Sequence, residues 1–293
     1  MGELKIGGII MKTLIFLIND VDNCQNFIKY AFDMASDLKF KLKILNVIYP
    51  YTFGTYGYVG SESPPSAEHI KQIEINIKGR VISYISEIDE NAISSGKVEY
   101  ISKIGDAPDV LEEMCIKGEV NYVVLQGKAD GYFWSQRPEI MEIIQKISCP
   151  VMIISPNSVY EHFKKVIYAT DYNSQDIDVL NKLVKITEPM QSQIVALHIF
   201  ESVDFEEKIV ARGFREILKK KVDSPRVTAR YEVNNDNLDV VEMLETQAEL
   251  LGADIIVVLK ENRNLFEKIF KSSFTAKLLK TTKLPVIVYQ SKK

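Results

Sequence analysis

The residues best placed to do chemistry fall in two short runs of the chain's second half. One is Ala169-Thr170-Asp171, where an apolar stretch ends in a hydroxyl and a carboxylate. The other starts at Leu259 and runs through Asn262 to Ser272-Ser273-Phe274-Thr275. A carboxylate just past a strand can accept hydrogen bonds from a ligand's hydroxyls or amines, or it can cap the helix that follows. Both roles stay open for Asp171. Hydroxyls and free N–H groups at a helix start can hold an anion. Between Lys260 and Lys271 stand four basic and two acidic residues, a balance compatible with an anion. The first half offers less: Asn19 and Asp20, then Gly127 and Gly131 in a GxxxG spacing, then Arg137-Pro138. Two glycines alone are a weak phosphate signal. Proline has no N–H to donate, although it suits a first helical turn.

Other constellations are thin. His69, His162 and His198 are scattered without a metal spacing, and His198 sits in an apolar run, where a satisfied core histidine is the simpler reading. No GxSxG, HExxH or P-loop occurs. Cys24, Cys115 and Cys149 are far apart and form no CxxC, so neither a disulfide framework nor a zinc site is expected. That usage reads as a reducing, cytoplasmic compartment, with Cys149 buried and inert. Lys219-Lys220-Lys221, with Arg212 and Arg215, reads as a solvated helix face. Trp134 reads as a packing residue.

The elements that must position these residues come as a repeat. TLIFLINDVDN is followed by an amphipathic stretch and KLKILNVIYP; KVIYATDYNSQ is followed in the same way by QIVALHIFES. Asn19 and Asn46 are 27 residues apart, and so are Asp171 and His198. Each half continues with an apolar run, VNYVVLQ or ADIIVVL, and ends on a proline and an apolar strand, PVMII or PVIVY. Short strands that are apolar on both faces and separated by helix-length segments predict parallel sheets covered on both sides. Helices are expected near 24–38, 67–91, 107–117 and 138–147, then near 175–187, 204–221, 237–250 and 265–281. Asp106 to Asp109 and Asn235 to Asn237 are candidate helix starts. The fold class is therefore α/β: two tandem doubly wound domains, each a five-stranded parallel sheet flanked by helices. The boundaries are an extension at 1–10 that reads as disordered or as following an upstream start at Met1, a first domain at 11–155, a linker at 156–163 and a second domain at 164–293. The first half carries a net insertion of 19 residues, mapped to 49–66, with Tyr49, Tyr51, Phe53, Tyr56, Tyr58 and three glycines. It reads as a loop over its own core or an interface, or as a lid over a small-molecule pocket.

KVIYATDYNSQ, the LHIF strand, ADIIVVL and the terminal PVIVY together resemble the universal stress protein family, as a tandem pair spanning essentially the whole chain. The resemblance implies an adenine nucleotide alpha hydrolase-like fold and a cytoplasmic stress-response role. It places Asp171 where the family holds a nucleoside, with Ile199 and Val258 beside the base. Family members that bind ATP carry G-x2-G-x9-G-[S/T] after the fourth strand. Here the spacing is kept as Leu259, Asn262, Ser272 and Ser273, with all three glycines missing. Glycines let backbone approach phosphates, so their loss predicts weak or absent nucleotide binding. The first reading is a non-catalytic regulatory module without a required cofactor. The second is an ATP-binding protein, slowly hydrolysing or not, that uses Asp171, Ser272, Ser273 and Thr275. The third is a small-molecule binder that uses residues 49–58. The resemblance also implies pairing through the last strands, here 150–154 with 285–289 within one chain, and admits a further homodimer.

Composition narrows the classes. At roughly 100–200 residues per domain, 293 residues predict two domains. With 46% hydrophobic and 26% charged residues the chain can bury real cores. Lys+Arg 36 against Asp+Glu 40 leaves a net charge of −4, which argues against coating nucleic acid or an anionic membrane. No run approaches the ~20 apolar residues of a membrane span, and no targeting signal is evident.

Overall fold

The computed structural model describes residues 5–6, 9–10, 12–18, 21–48, 66–127, 138–154, 158–202, 204–235, 238–260 and 272–291. The chain divides into two compact units, Met1–Val151 and Met152–Lys293.

In the first unit, β1 (Lys5–Ile6) and β2 (Ile9–Ile10) pair antiparallel, Lys5 opposite Ile10. This corrects the expectation of a structureless extension over those residues. Next come β3 (Thr13–Ile18), α1 (Gln25–Asp37), β4 (Lys41–Ile48), α2 (Ala67–Ile88), β5 (Val98–Ile104), α3 (Ala107–Ile116), β6 (Tyr122–Gln126) and α4 (Pro138–Lys146); β7 (Val151–Ile154) starts at the last residue of this unit and continues into the second. The parallel order is β6-β3-β4-β5. Chain crossovers at helix length force this parallel pairing. The Val123 N–H donates to the Pro150 carbonyl (3.0 Å), so the proline that lacks a donor still supplies an acceptor.

The second unit repeats the plan with β8 (Lys165–Ala169), α5 (Ser174–Ile186), β9 (Gln193–Phe200), α6 (Phe205–Lys221), β10 (Val227–Val233), α7 (Val240–Leu250), β11 (Ile255–Lys260), α8 (Ser272–Thr281) and β12 (Val286–Gln290). Its parallel order is β12-β11-β8-β9-β10. The Ile256 N–H donates to the Pro285 carbonyl (3.0 Å), repeating the arrangement at Pro150. Residues 255–259 are wholly buried, as a strand covered on both faces must be. The order reverses between β8 and β11, and ligands bind such sheets beyond the strand ends at that reversal.

Two local expectations are corrected. The helix expected from 237 starts at Val240, with Asp239 as its cap, accepting from the Val241 N–H (2.9 Å). Asn234 occupies the preceding turn instead, accepting from the Leu238 N–H (2.9 Å) and donating to the Leu238 carbonyl (2.6 Å). The cysteines are not all free: Cys115 at the end of α3 is joined to Cys149, with Cα atoms 6.0 Å apart. A separation of 34 residues carries no distance information until α3 and the α4–β7 junction pack together. This pairing removes the cysteine argument for a reducing compartment. Alkylating the unfolded, unreduced protein should label one thiol, Cys24, and prior reduction should expose all three to mass spectrometry.

Candidate functional site

The turn after β8 is built around a buried carboxylate. Asp176 is 2% exposed and accepts from the Tyr168 hydroxyl (2.6 Å), the Thr170 hydroxyl and the Asn173 N–H (2.9 Å). Asn173, the cap of α5, accepts in return from the Asp176 N–H, which completes a reciprocal capping box, and also from the Gln175 N–H (3.0 Å). Thr170 also accepts from the Tyr172 N–H (2.9 Å), so its one proton and one lone pair are committed inside the turn. Its own N–H extends the β8–β9 ladder by donating to the Leu197 carbonyl (3.0 Å). Tyr172 takes a left-handed φ of 60°, which lets the chain reverse into the helix. The capping role left open for Asp171 therefore belongs to Asn173 and Asp176, and the Asp171 side chain, 19% exposed, lies beside the turn.

Beside Asp171 stands an aromatic cluster. His198 Nδ1 lies 2.6 Å from the Thr170 carbonyl and 4.0 Å from the Asp171 carboxylate. A carbonyl only accepts, so Nδ1 carries the proton. Tyr172 stacks on His198 (centroids 4.4 Å) and contacts Phe214 (4.7 Å), while Phe200 meets His198 edge-on at 4.4 Å and Tyr231 at 5.4 Å. Burial holds the His198 pKa below its ordinary 6.5, so the ring is neutral at neutral pH and forms no ion pair with Asp171. Burial also pushes the Tyr172 phenol up. The expected core histidine is what the structure contains.

On the other flank is a half-open hollow of about 270 Å³ including its mouth. It is lined by Ala169, Thr170, Asp171, Leu197, Ile199, Val240, Leu244 and Phe274. Helices α7 and α8 close it, held together by Lys277 on Asp239 (2.8 Å) and by the Thr281 hydroxyl donating to Glu245 (2.8 Å). The enclosed part of it is only about 20 Å³, room for little more than one water and far below the roughly 300–1,000 Å³ of ligand pockets. Its chemistry is that of an apolar slot with one carboxylate acceptor at its edge. Among the described residues no group of His, Cys, Asp and Glu could hold a metal ion.

Of the residues singled out from sequence, Ala169, Thr170, Asp171 and Ile199 come together at this hollow. Val258 and Leu259 are buried in β11, with Val258 in register with Ala169. Thr275 is buried in α8, and Ser272-Ser273 open that helix. Burial of Lys260, at the end of β11, lowers its pKa. Gly127 follows β6 directly and is buried. Asn262, Asn19, Asp20, Gly131, Trp134 and the aromatic segment lie outside the described residues; only its last residue, Ser66, is seen, capping α2 by accepting from the His69 N–H (3.2 Å). Sequence reading missed Leu197, Val240, Leu244 and Phe274. Phe274 stood between two hydroxyl residues already noted, and Val240 and Leu244 recur at one helical turn.

Residues 162–290 match the universal stress protein family. Over 96% of the chain the fold is similar to a universal stress protein from Archaeoglobus fulgidus DSM 4304, at 14% identity, 97% of that chain and a TM-score of 0.68. It is also similar to a putative universal stress protein from Pseudomonas aeruginosa UCBPP-PA14, at 13% identity, 93% of that chain and a TM-score of 0.59. No curated protein matches the chain. Among the described residues no helix is long and apolar enough to cross a membrane. The chain thus carries a universal stress protein domain in its second half and, along its length, the fold of two-domain universal stress proteins.

Proposed function

We propose that this chain is a non-catalytic regulatory protein of the universal stress protein type, acting in the stress response, in which nucleotide binding is weak or lost. The observation that carries this reading is the lining of the hollow beside Asp171. Phe274, Val240 and Leu244 fill the side opposite the strands, and Thr170 has committed its hydroxyl proton to Asp176. Leu259 supports it: a buried, branched side chain stands where a phosphate-holding loop would begin with glycine. Pairing of the two halves through their last strands is part of the same reading, as is a cytoplasmic location.

Isothermal calorimetry with ATP and Mg²⁺ tests the reading. The expected result is no heat or a millimolar Kd, unchanged in Asp171→Ala and Ser273→Ala. A micromolar Kd lost in both variants would replace it with the ATP-binding reading.

A further inference from the structure

Helix α6 buries Ala211, Phe214 and Leu218 and leaves a second apolar row outside. Phe205, Ile209, Val210 and Ile217 are 76, 53, 51 and 49% exposed, four of the ten large apolar side chains exposed among the described residues. Such a concentration on one helix marks an interaction surface rather than scattered surface residues. Phe205, Ile209, Gly213 and Ile217 recur every fourth residue along one flank. Gly213 is the middle residue of the helix and is exposed, and a Cβ there would meet nothing within 4 Å. The fold itself has no use for a glycine at this point, and a glycine inside a helix weakens it.

The ends of α6 carry opposite charges, Asp204, Glu206 and Glu207 at the start and Lys219, Lys220 and Lys221 at the finish. The row is its own complement when run backwards. About Gly213, position 209 pairs with 217, and 206 with 220. We propose that α6 is a homodimer face, two copies packing antiparallel about a two-fold axis at Gly213. Ile209 then meets the partner's Ile217, and Glu206 meets the partner's Lys220. The glycine lets the two helices approach closely at their crossing, and the isologous geometry is that of a two-fold dimer. A lipid surface fits worse, because Glu206 and Glu216 stand on the same exposed face as the apolar row and would be carried into the membrane with it. A 17-residue helix is about 25 Å long, so one helix pair stays below the ~1,200–2,000 Å² of stable interfaces and the dimer is concentration-dependent.

Sedimentation equilibrium of the full 33.4 kDa chain from low micromolar to near-millimolar concentration is the test. The expected result is a monomer–dimer equilibrium weakened about tenfold or more by Ile209→Asp and by Gly213→Gln, tenfold being ~1.4 kcal/mol. Thermal melting of dilute Gly213→Gln should be unchanged or raised, because the monomer gains a better helix former in open space. Glu206→Lys and Lys220→Glu should each weaken the dimer, and the two together should restore it. Three results would overturn the proposal: a monomer at every concentration, a dimer indifferent to Ile209→Asp and Gly213→Gln, or a charge swap that restores nothing.

Discussion

Replacing Asp176 by alanine is expected to cost the second unit about 3–5 kcal/mol, because it strips the acceptor from several buried donors at once. Tyr168 is fully buried and donates to one carboxylate oxygen; Thr170 and the Asn173 N–H share the other. With the carboxylate gone, two buried hydroxyls lose their partner. The first turn of α5 also loses both half of its capping box and a negative charge at the positive end of the helix dipole. Asp176→Asn should cost about half as much. It keeps the shape and one acceptor, while its NH₂ faces donors on the other side. Hydrogen exchange read by mass spectrometry resolves this by peptide: amides of β8 and α5 should lose protection, and peptides from the first unit should not change. Equal protection in wild type and Asp176→Ala would show that the carboxylate is not the organising group of the turn. The same variant should loosen Thr170 and Asp171 and so reshape the hollow without touching its apolar walls.

How much of this could be read from the sequence depended on whether the information was local. Strands such as Ile255–Lys260 and Val151–Ile154 are legible because burial on both faces forces an unbroken apolar run, and the intervening amphipathic segments force parallel crossovers. The repeat then made Asp171 stand out, at the end of β8 beside the reversal of strand order. The role of Asp176 was not legible, since an acidic residue in a first helical turn reads equally well as a solvated partner of the helix dipole. Only the buried hydroxyl of Tyr168, on the preceding strand, decides otherwise. Tyr172 on His198 spans 26 residues and depends on the β8–β9 register that sets Ala169 against Leu197. The walls of the hollow from α7 and α8, and the Cys115–Cys149 bridge, are likewise products of tertiary packing. No spacing rule reaches them.

Tyr172→Ala is expected to cost about 2–3 kcal/mol, below the ~3–5 kcal/mol of a fully buried aromatic because the residue is half-exposed. The ring covers His198, Phe200 and Phe214, while its backbone sits at a left-handed φ of 60°. An alanine keeps that backbone strain and loses the packing. A glycine loses the packing but relieves the strain, so Tyr172→Gly should be about 1 kcal/mol more stable than Tyr172→Ala, reversing the usual order of the two residues. The same ring governs a pH response. Burial lowers the folded pKa of His198 below 6.5, against the lesser pull of the Thr170 carbonyl and Glu207 in the other direction. The unfolded chain then binds the proton more readily than the folded one, so the stability of the neutral, buried ring is fully present above about pH 6.5. It falls as pH drops below that value and levels off once the folded pKa is passed. His198→Gln should flatten this part of the stability curve. In Tyr172→Ala the imidazole gains solvent, its pKa climbs back toward 6.5, and the pH dependence should shrink in step. NMR titration of the His198 ring in wild type and Tyr172→Ala measures the shift directly. A His198 pKa unchanged by removal of Tyr172 would show that the sheet and Phe200, rather than the stacked ring, exclude water from it.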